Sequence, residues 1–123
     1  LGISEAVKFH GFSSEIHKIM AESAIYVSSS DYEGISNSML EALAIGIPAI
    51  CTDCPVGGAR MYIRDGENGY LVPVGDADVM ADRMLALMED KKLGESFSKE
   101  SVKIREELTD DRIFGMWKAL LVR

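Results

Sequence analysis

Cysteine, histidine and positive charge are all in short supply in this chain, and each shortage removes a class of function. The two cysteines stand in the order Cys51-Thr52-Asp53-Cys54. A structural zinc site takes about four ligands, but no second C-x-x-C exists, and the two histidines, His10 and His17, are distant in sequence. A thioredoxin-like redox centre places its first cysteine at the start of a helix, whereas Cys51 ends an apolar run and Pro55 follows Cys54. The expectation is two small structural residues at a strand end. Both thiols are expected to be reduced, because the chain opens with neither the basic start nor the apolar stretch of a secretory leader. Lys and Arg number 13 against 20 Asp and Glu, for a net charge of −7. That balance argues against a general nucleic-acid role, which gathers cations on one face. It leaves phosphorylated small ligands open, since backbone N–H groups at a helix start hold phosphate without any net positive charge. No apolar run approaches the ~20 residues of a membrane span. There is no internal repeat, low-complexity tract or linker. The first residue is Leu1, not Met, so the chain reads as a piece of something longer.

What is present is ordinary globular material: 123 residues, 47% of them hydrophobic, enough for one domain with a core. Short apolar stretches alternate with helical ones, the texture of an α/β, Rossmann-like parallel sheet with flanking helices. Strands are expected at Val7-Lys8-Phe9, at Ala24 to Ser28, at Pro48 to Cys51 and at Tyr70 to Val72. Helices are expected from Ser13 to about Ala21, from Asn37 to Ile45, and from Ala59 to Ile63. A further helix opens at Asp76 and Asp78 and runs to about Glu89, with Met80, Met84, Leu87 and Met88 as its core-facing stripe. Two more cover about Lys92–Leu108 and Asp110–Leu121, the last capped by Thr109. Gly46 and Pro48 stop the Asn37 helix, and Asp65-Gly66-Glu67-Asn68-Gly69 is a dense turn signal.

In open α/β sheets a ligand sits beyond the carboxyl ends of the strands. The loop from Ser29 to Ser36 and the turn from Thr52 to Gly58 are two such ends. The first carries the most chemistry: Ser30-Asp31-Tyr32-Glu33-Gly34-Ile35-Ser36-Asn37-Ser38-Met39-Leu40-Glu41-Ala42. Free N–H groups near a helix start, with the helix dipole, form an anion site. Gly34 lets a ligand approach the backbone, having no Cβ. Glu41 is expected in the first turn, so that Glu33 and Glu41 bracket one anion site. Carboxylates there are badly placed for phosphate but suited to accept from sugar hydroxyls. A purely structural account stays open on these residues: Ser38-x-x-Glu41 is a capping box, and Glu33 an exposed loop acid.

Glu33-x7-Glu41, with Gly34 after the first glutamate and Glu41-Ala42-Leu43-Ala44-x-Gly46-x-Pro48 from the second, resembles the signature of family 4 retaining glycosyltransferases, which have the two-domain GT-B fold. Val7-x-Phe9-x-Gly11 resembles that family's strand before the nucleobase pocket. Asp65-Gly66-x-Asn68-Gly69-x-Leu71-Val72 resembles its glycine-rich hairpin, and the final helix with Trp117 resembles the one that crosses back toward the other domain. The resemblance covers nearly the whole chain, in order. It implies that residues 1–123 are part of the C-terminal nucleotide-sugar-binding domain, an incomplete C-terminal half of a GT-B enzyme. Glu33 would be the catalytic residue, orienting the transferred sugar through its hydroxyls. Glu41 would bind the ribose hydroxyls. Gly34, Ile35 and Ser36 would face the sugar, Asn37 and Ser38 would lie beneath the diphosphate, and Gly11 and Phe12 would begin the base pocket, with Phe12 alternatively a strand-end core residue.

The family's diphosphate-neutralising Arg and Lys lie upstream of the Val7 strand, where this chain does not reach, and the acceptor domain is absent. After Gly57-Gly58 many members have a glutamate where this chain has Met61, preceded by Arg60. By resemblance, the whole enzyme would move a hexose or related sugar from a UDP-sugar or GDP-sugar to an acceptor saccharide or lipid-linked glycan, with retention, in polysaccharide or glycoconjugate biosynthesis. No cofactor and no metal are expected; Asp76-Ala77-Asp78 reads as a helix start. The expected location is cytoplasmic, with peripheral association of the full-length enzyme at the inner membrane face. The chain alone is expected to be inactive and to self-associate. The alternatives are a nucleotide- or phosphosugar-binding module without catalysis, another GT-B enzyme such as a nucleotide-sugar epimerase, and a structural α/β domain in which Glu41 is merely a cap.

Overall fold

The computed structural model describes residues 1–122. Three parallel strands lie in the order β1 (Tyr26–Ser28), β2 (Ala49–Thr52) and β3 (Gly69–Val72). Helix α1 (Ile16–Ala21) precedes β1, α2 (Asn37–Ile45) joins β1 to β2, and a single 3-10 turn (Ala59–Met61) lies between β2 and β3. Helices α3 (Ala77–Glu89), α4 (Lys91–Ser101), α5 (Ile104–Glu107) and α6 (Asp110–Leu121) follow.

All four residues of β2 are buried, as the centre of a parallel sheet requires. Its side chains alternate between two layers. Ala49 and Cys51 pack with Met39 and Leu43 of α2, Ile63 and Ile104 on one face. Ile50 packs with Tyr70, Val72, Leu87 and Phe97 under α3 and α4 on the other. A third cluster (Met20, Ala42 and Ile47) holds α1 against α2.

Helix α2 has the expected bounds because both ends are chemically marked. Ser36 Oγ accepts from the Met39 amide at 3.4 Å, and Gly46 ends the helix at φ +96°. There the Ile47 amide reaches Ala42 O at 2.9 Å, a left-handed cap that only glycine adopts without strain. Asp76 caps α3 through the Val79 amide at 3.0 Å, and Thr109 caps α6 through the Arg112 amide at 3.3 Å. Asp76-Ala77-Asp78 is thus a helix start, as read.

Several expectations are corrected. Val7-Lys8-Phe9 forms no strand; Phe9 is 94% exposed. A strand exists through its neighbour's ladder, and among the described residues none lies beside this segment. Phe12, at 99% exposure, is not a core residue. Helix α1 begins at Ile16, not Ser13, because Ser13 Oγ closes a local turn with the Glu15 amide at 3.1 Å. The expected Lys92–Leu108 helix is two, α4 and α5, parted at Val102-Lys103 by tight bonds such as Arg105 N to Val102 O at 3.1 Å. The Asp65–Gly69 segment is a turn that delivers a strand parallel to β2, not a hairpin. Its Asp65 Oδ1 accepts from the Leu71 amide at 2.9 Å.

Candidate functional site

The carboxyl ends of β1 and β2 place the Ser29–Ser36 loop beside the Thr52–Gly58 turn. The two are stitched together reciprocally: the Glu33 amide donates to Pro55 O at 2.9 Å, and the Val56 amide to Glu33 O at 3.1 Å. Thr52 Oγ1 donates to Ser30 O below them. Gly58 lies against the Gly34 backbone so closely that a Cβ there would overlap the Gly34 carbonyl and come 2.7 Å from Ile35 N. Gly34 itself faces open space, with nothing within 4 Å of an added Cβ. The packing of this chain therefore demands a glycine at 58 and not at 34, which leaves the outer side of Gly34 free for a ligand.

Glu33, Gly34, Ile35, Asn37 and Ser38 are all exposed along this edge, and Ser36 is half-buried. The Glu33 carboxylate accepts from the Gly34 amide at 3.1 Å through Oε1. The amides of Gly34 and Met39 are thus engaged, the latter by Ser36, while those of Asn37 and Ser38 have no partner among the described residues. Two adjacent free N–H groups at the start of a nine-residue helix form an anion-accepting end.

The capping-box account of Glu41 does not survive. The cap is Ser36, and Ser38 is occupied by the Tyr26 hydroxyl at 2.8 Å and by Ser36 Oγ at 3.0 Å. Nor is Glu41 in the first turn: it is the fifth helical residue, one turn past Asn37 and on the same face. Its carboxylate instead meets His17 Nε2 of α1 at 3.2 Å. Sequence reasoning missed His17, because the pair forms only when α1 docks on α2 and no spacing rule links residues that far apart. Gly11 and Phe12 are exposed, and no hydrogen bond ties them to the Glu33 loop.

Arg60 is committed to the protein. Its Nε and Nη2 hold Asp53 Oδ1 and Oδ2 at 2.8 and 2.5 Å, clamping the turn that carries Val56 and Gly58. Asp53 in turn raises the proton affinity of that guanidinium. Cys51 and Cys54 are buried and unbridged, and burial, with the nearby Cys54, pushes the Cys51 thiol up to about 12. A thiol so held is neutral at physiological pH, which leaves Cys51 no thiolate for redox or metal chemistry. Among the described residues no three His, Cys, Asp or Glu side chains converge to hold a metal, and no helix is long and apolar enough to cross a membrane.

A cavity of about 760 Å³ opens at the other end of the sheet, between Pro48, Gly46, Leu87, Met88 and Gly94. It contains none of the candidate residues, although Lys91, Glu95, Ser98 and Lys99 also line it. At the loop end a smaller cleft of about 130 Å³ runs between Ser29, Asp31, Thr52 and Asp76. The strand ends and the free amides, not cavity size, mark the site.

Residues 1–103 match the family of glycosyl transferases group 1. The chain belongs to that family. It is 36% identical over 125 residues to EpsD of Bacillus subtilis, covering 98% of this chain and 32% of that protein. It is 34% identical over 110 residues to the N-acetylgalactosamine-N,N'-diacetylbacillosaminyl-diphospho-undecaprenol 4-alpha-N-acetylgalactosaminyltransferase of Campylobacter jejuni, covering 89% of this chain and 30% of the relative. Among solved structures, Staphylococcus aureus TarM, in a complex with Fondaparinux, alpha-GlcNAc-glycerol and UDP, superposes with a TM-score of 0.88 at 29% identity, over 96% of this chain and 24% of TarM. The group 1 chain thus has the Rossmann-like α/β arrangement of GT-B glycosyltransferases, and it spans about a third of the length of the curated relatives it matches.

Proposed function

We propose that this chain is the donor-binding part of the C-terminal domain of a retaining group 1 glycosyltransferase of the GT-B type, which moves a sugar from a nucleoside-diphosphate sugar to a saccharide or lipid-linked acceptor. The observation that carries the reading is the convergence at one sheet end of Glu33, the open side of Gly34 and the free Asn37 and Ser38 amides, with Glu41 one turn further on. The amides and helix dipole receive the diphosphate, and the two carboxylates accept from hydroxyls on either side of it: Glu33 from the transferred sugar, Glu41 from the ribose. Gly34, Ile35 and Ser36 bring backbone to the sugar, and Gly11 and Phe12 contribute to the base side. Catalysis is positioning together with stabilisation of the departing diphosphate. Uridine is the base we favour, on the UDP held by TarM. Acceptor recognition, neutralisation of the leaving group and any association with the membrane surface belong to parts of the enzyme outside this chain. The relatives named above give no support to an epimerase or to a binding module without catalysis.

The test is a ligand-observed NMR titration of the protein at its natural full length with UDP, GDP, UDP-glucose and GDP-mannose, repeated on Glu33→Ala and Glu41→Ala. One nucleotide is expected to bind, more weakly without Glu41. Glu33→Ala is expected to bind UDP unchanged but to lose sugar transfer by at least about a hundredfold, the scale of losing one transition-state contact. The anomeric proton of the product reports retention. A folded enzyme that binds none of the four ligands would overturn the reading.

A further inference from the structure

We infer that His17 is a positioning residue for the donor nucleotide: by engaging one oxygen of Glu41 it orients the carboxylate whose other oxygen accepts from the ribose. The inference rests on the proposed role of Glu41 and extends it to a residue no sequence motif marks.

Three observations carry it. His17 Nε2 lies 3.2 Å from Glu41 Oε2, and the structure gives Oε1 no partner. The contact does not depend on a loop. His17 stands one turn before Met20, which is buried against Ala42 and Ile47, and Ala42 is the residue after Glu41. Core packing thus fixes both backbones from which the pair extends. Finally, the pair leaves 67% of the His17 side chain and 42% of the Glu41 side chain exposed, so the carboxylate remains open to a ligand on its solvent side.

An unheld glutamate at this exposed position samples several rotamers, and each binding event must select one. The His17 ring, 3.2 Å from Oε2, narrows that choice beforehand, and preorganisation of this kind lowers the ordering cost of binding. Lys18 of α1 pairs with Glu15, the residue before the helix, at 3.9 Å and does not compete for Glu41. The ligand is therefore a nucleotide with a free ribose diol, and the interaction that depends on His17 is the one to that diol.

The experiment measures the dissociation constants of UDP and of 2′,3′-dideoxy-UDP by calorimetry, on the protein at its natural full length. The variants are His17→Ala, His17→Gln, Glu41→Ala and the His17→Ala/Glu41→Ala double. His17 is exposed, so none of these changes removes core. His17→Ala is expected to weaken UDP binding roughly three- to five-fold, the scale of a partly exposed polar contact. The dideoxy nucleotide should bind His17→Ala and wild type equally. His17→Gln, whose amide nitrogen reaches the same oxygen, should restore most of the affinity. In the Glu41→Ala background, loss of His17 should add nothing. Equal losses for both nucleotides, additivity with Glu41→Ala, or no loss at all in an enzyme that needs Glu41 would overturn the inference. If Glu41→Ala leaves UDP affinity untouched, the ribose role of Glu41 itself fails, and that outcome is visible without any His17 variant.

Discussion

Gly34 and Gly58 meet across the two loops, yet they are glycines for different reasons. Gly58 is required by its neighbour: a methyl group there has no room beside the Gly34 carbonyl. Gly34 has room and is free of positive φ. Gly58→Ala is expected to cost about 1–3 kcal/mol of stability, the range for overpacking against backbone, and to displace the Glu33 loop. Gly34→Ala is expected to unfold at the wild-type temperature while losing donor affinity. Thermal denaturation set beside a nucleotide titration separates the two, and a Gly34→Ala enzyme with full affinity would remove the ligand from that side of the loop. Arg60 shows how a residue's meaning changes with its partner. In the sequence it is a cation near a phosphate-accepting loop. In the fold, both Asp53 oxygens take its nitrogens, so it stiffens the turn that supports Glu33.

At the scale of elements, the turn into β3 depends on one buried amide. Asn68 is 2% exposed; its Oδ1 accepts from the Arg64 amide at 2.8 Å and its Nδ2 donates to Tyr62 O at 3.0 Å, while its own carbonyl takes the Ser101 hydroxyl at 3.0 Å. The turn was legible in Asp65 to Gly69. That Asn68 joins β3 to α4 was not, because Ser101 lies 33 residues away. Asn68→Ala strands backbone partners away from water and is expected to cost about 1–3 kcal/mol for the unsatisfied groups. Chemical denaturation should show this with donor affinity reduced no more than the unfolded fraction explains; a variant as stable as wild type would contradict the account. The break between α4 and α5 was equally hidden. Val102-Lys103 contains neither glycine nor proline, and the change of direction serves Ser101 on Asn68 and Ile104 in the core beneath α2.

For the whole molecule, exposed apolar surface is the main feature left unused. Phe114, Trp117, Leu120 and Leu121 of α6 are 62–79% exposed, and Phe9 and Phe12 more than 90%. The apolar side chains of α6 therefore have no partner face among the described residues, and β1 is an open sheet edge. This chain in isolation is expected to self-associate. Light scattering over a concentration series checks it, and a monodisperse monomer at high concentration would count against the expectation.

The sequence by itself determined the strand–helix alternation, the glycine stop of α2, the caps of α3 and α6 and the Glu33-to-Glu41 stretch that carries the proposed chemistry. Those signals act within one or two turns of chain: a hydroxyl three residues before an amide, a glycine where φ must be positive, an apolar period. Only the tertiary structure decided that Ser36 and not Ser38 caps α2, that Gly58 supports Gly34, that Arg60 closes on Asp53, that Val7 to Phe9 is left without a strand partner, and that His17 comes to rest on Glu41. Each of these depends on which surfaces the buried methionines, leucines and isoleucines bring together, and burial of apolar area is non-directional: it selects partners by shape and packing across the chain, which no local spacing encodes.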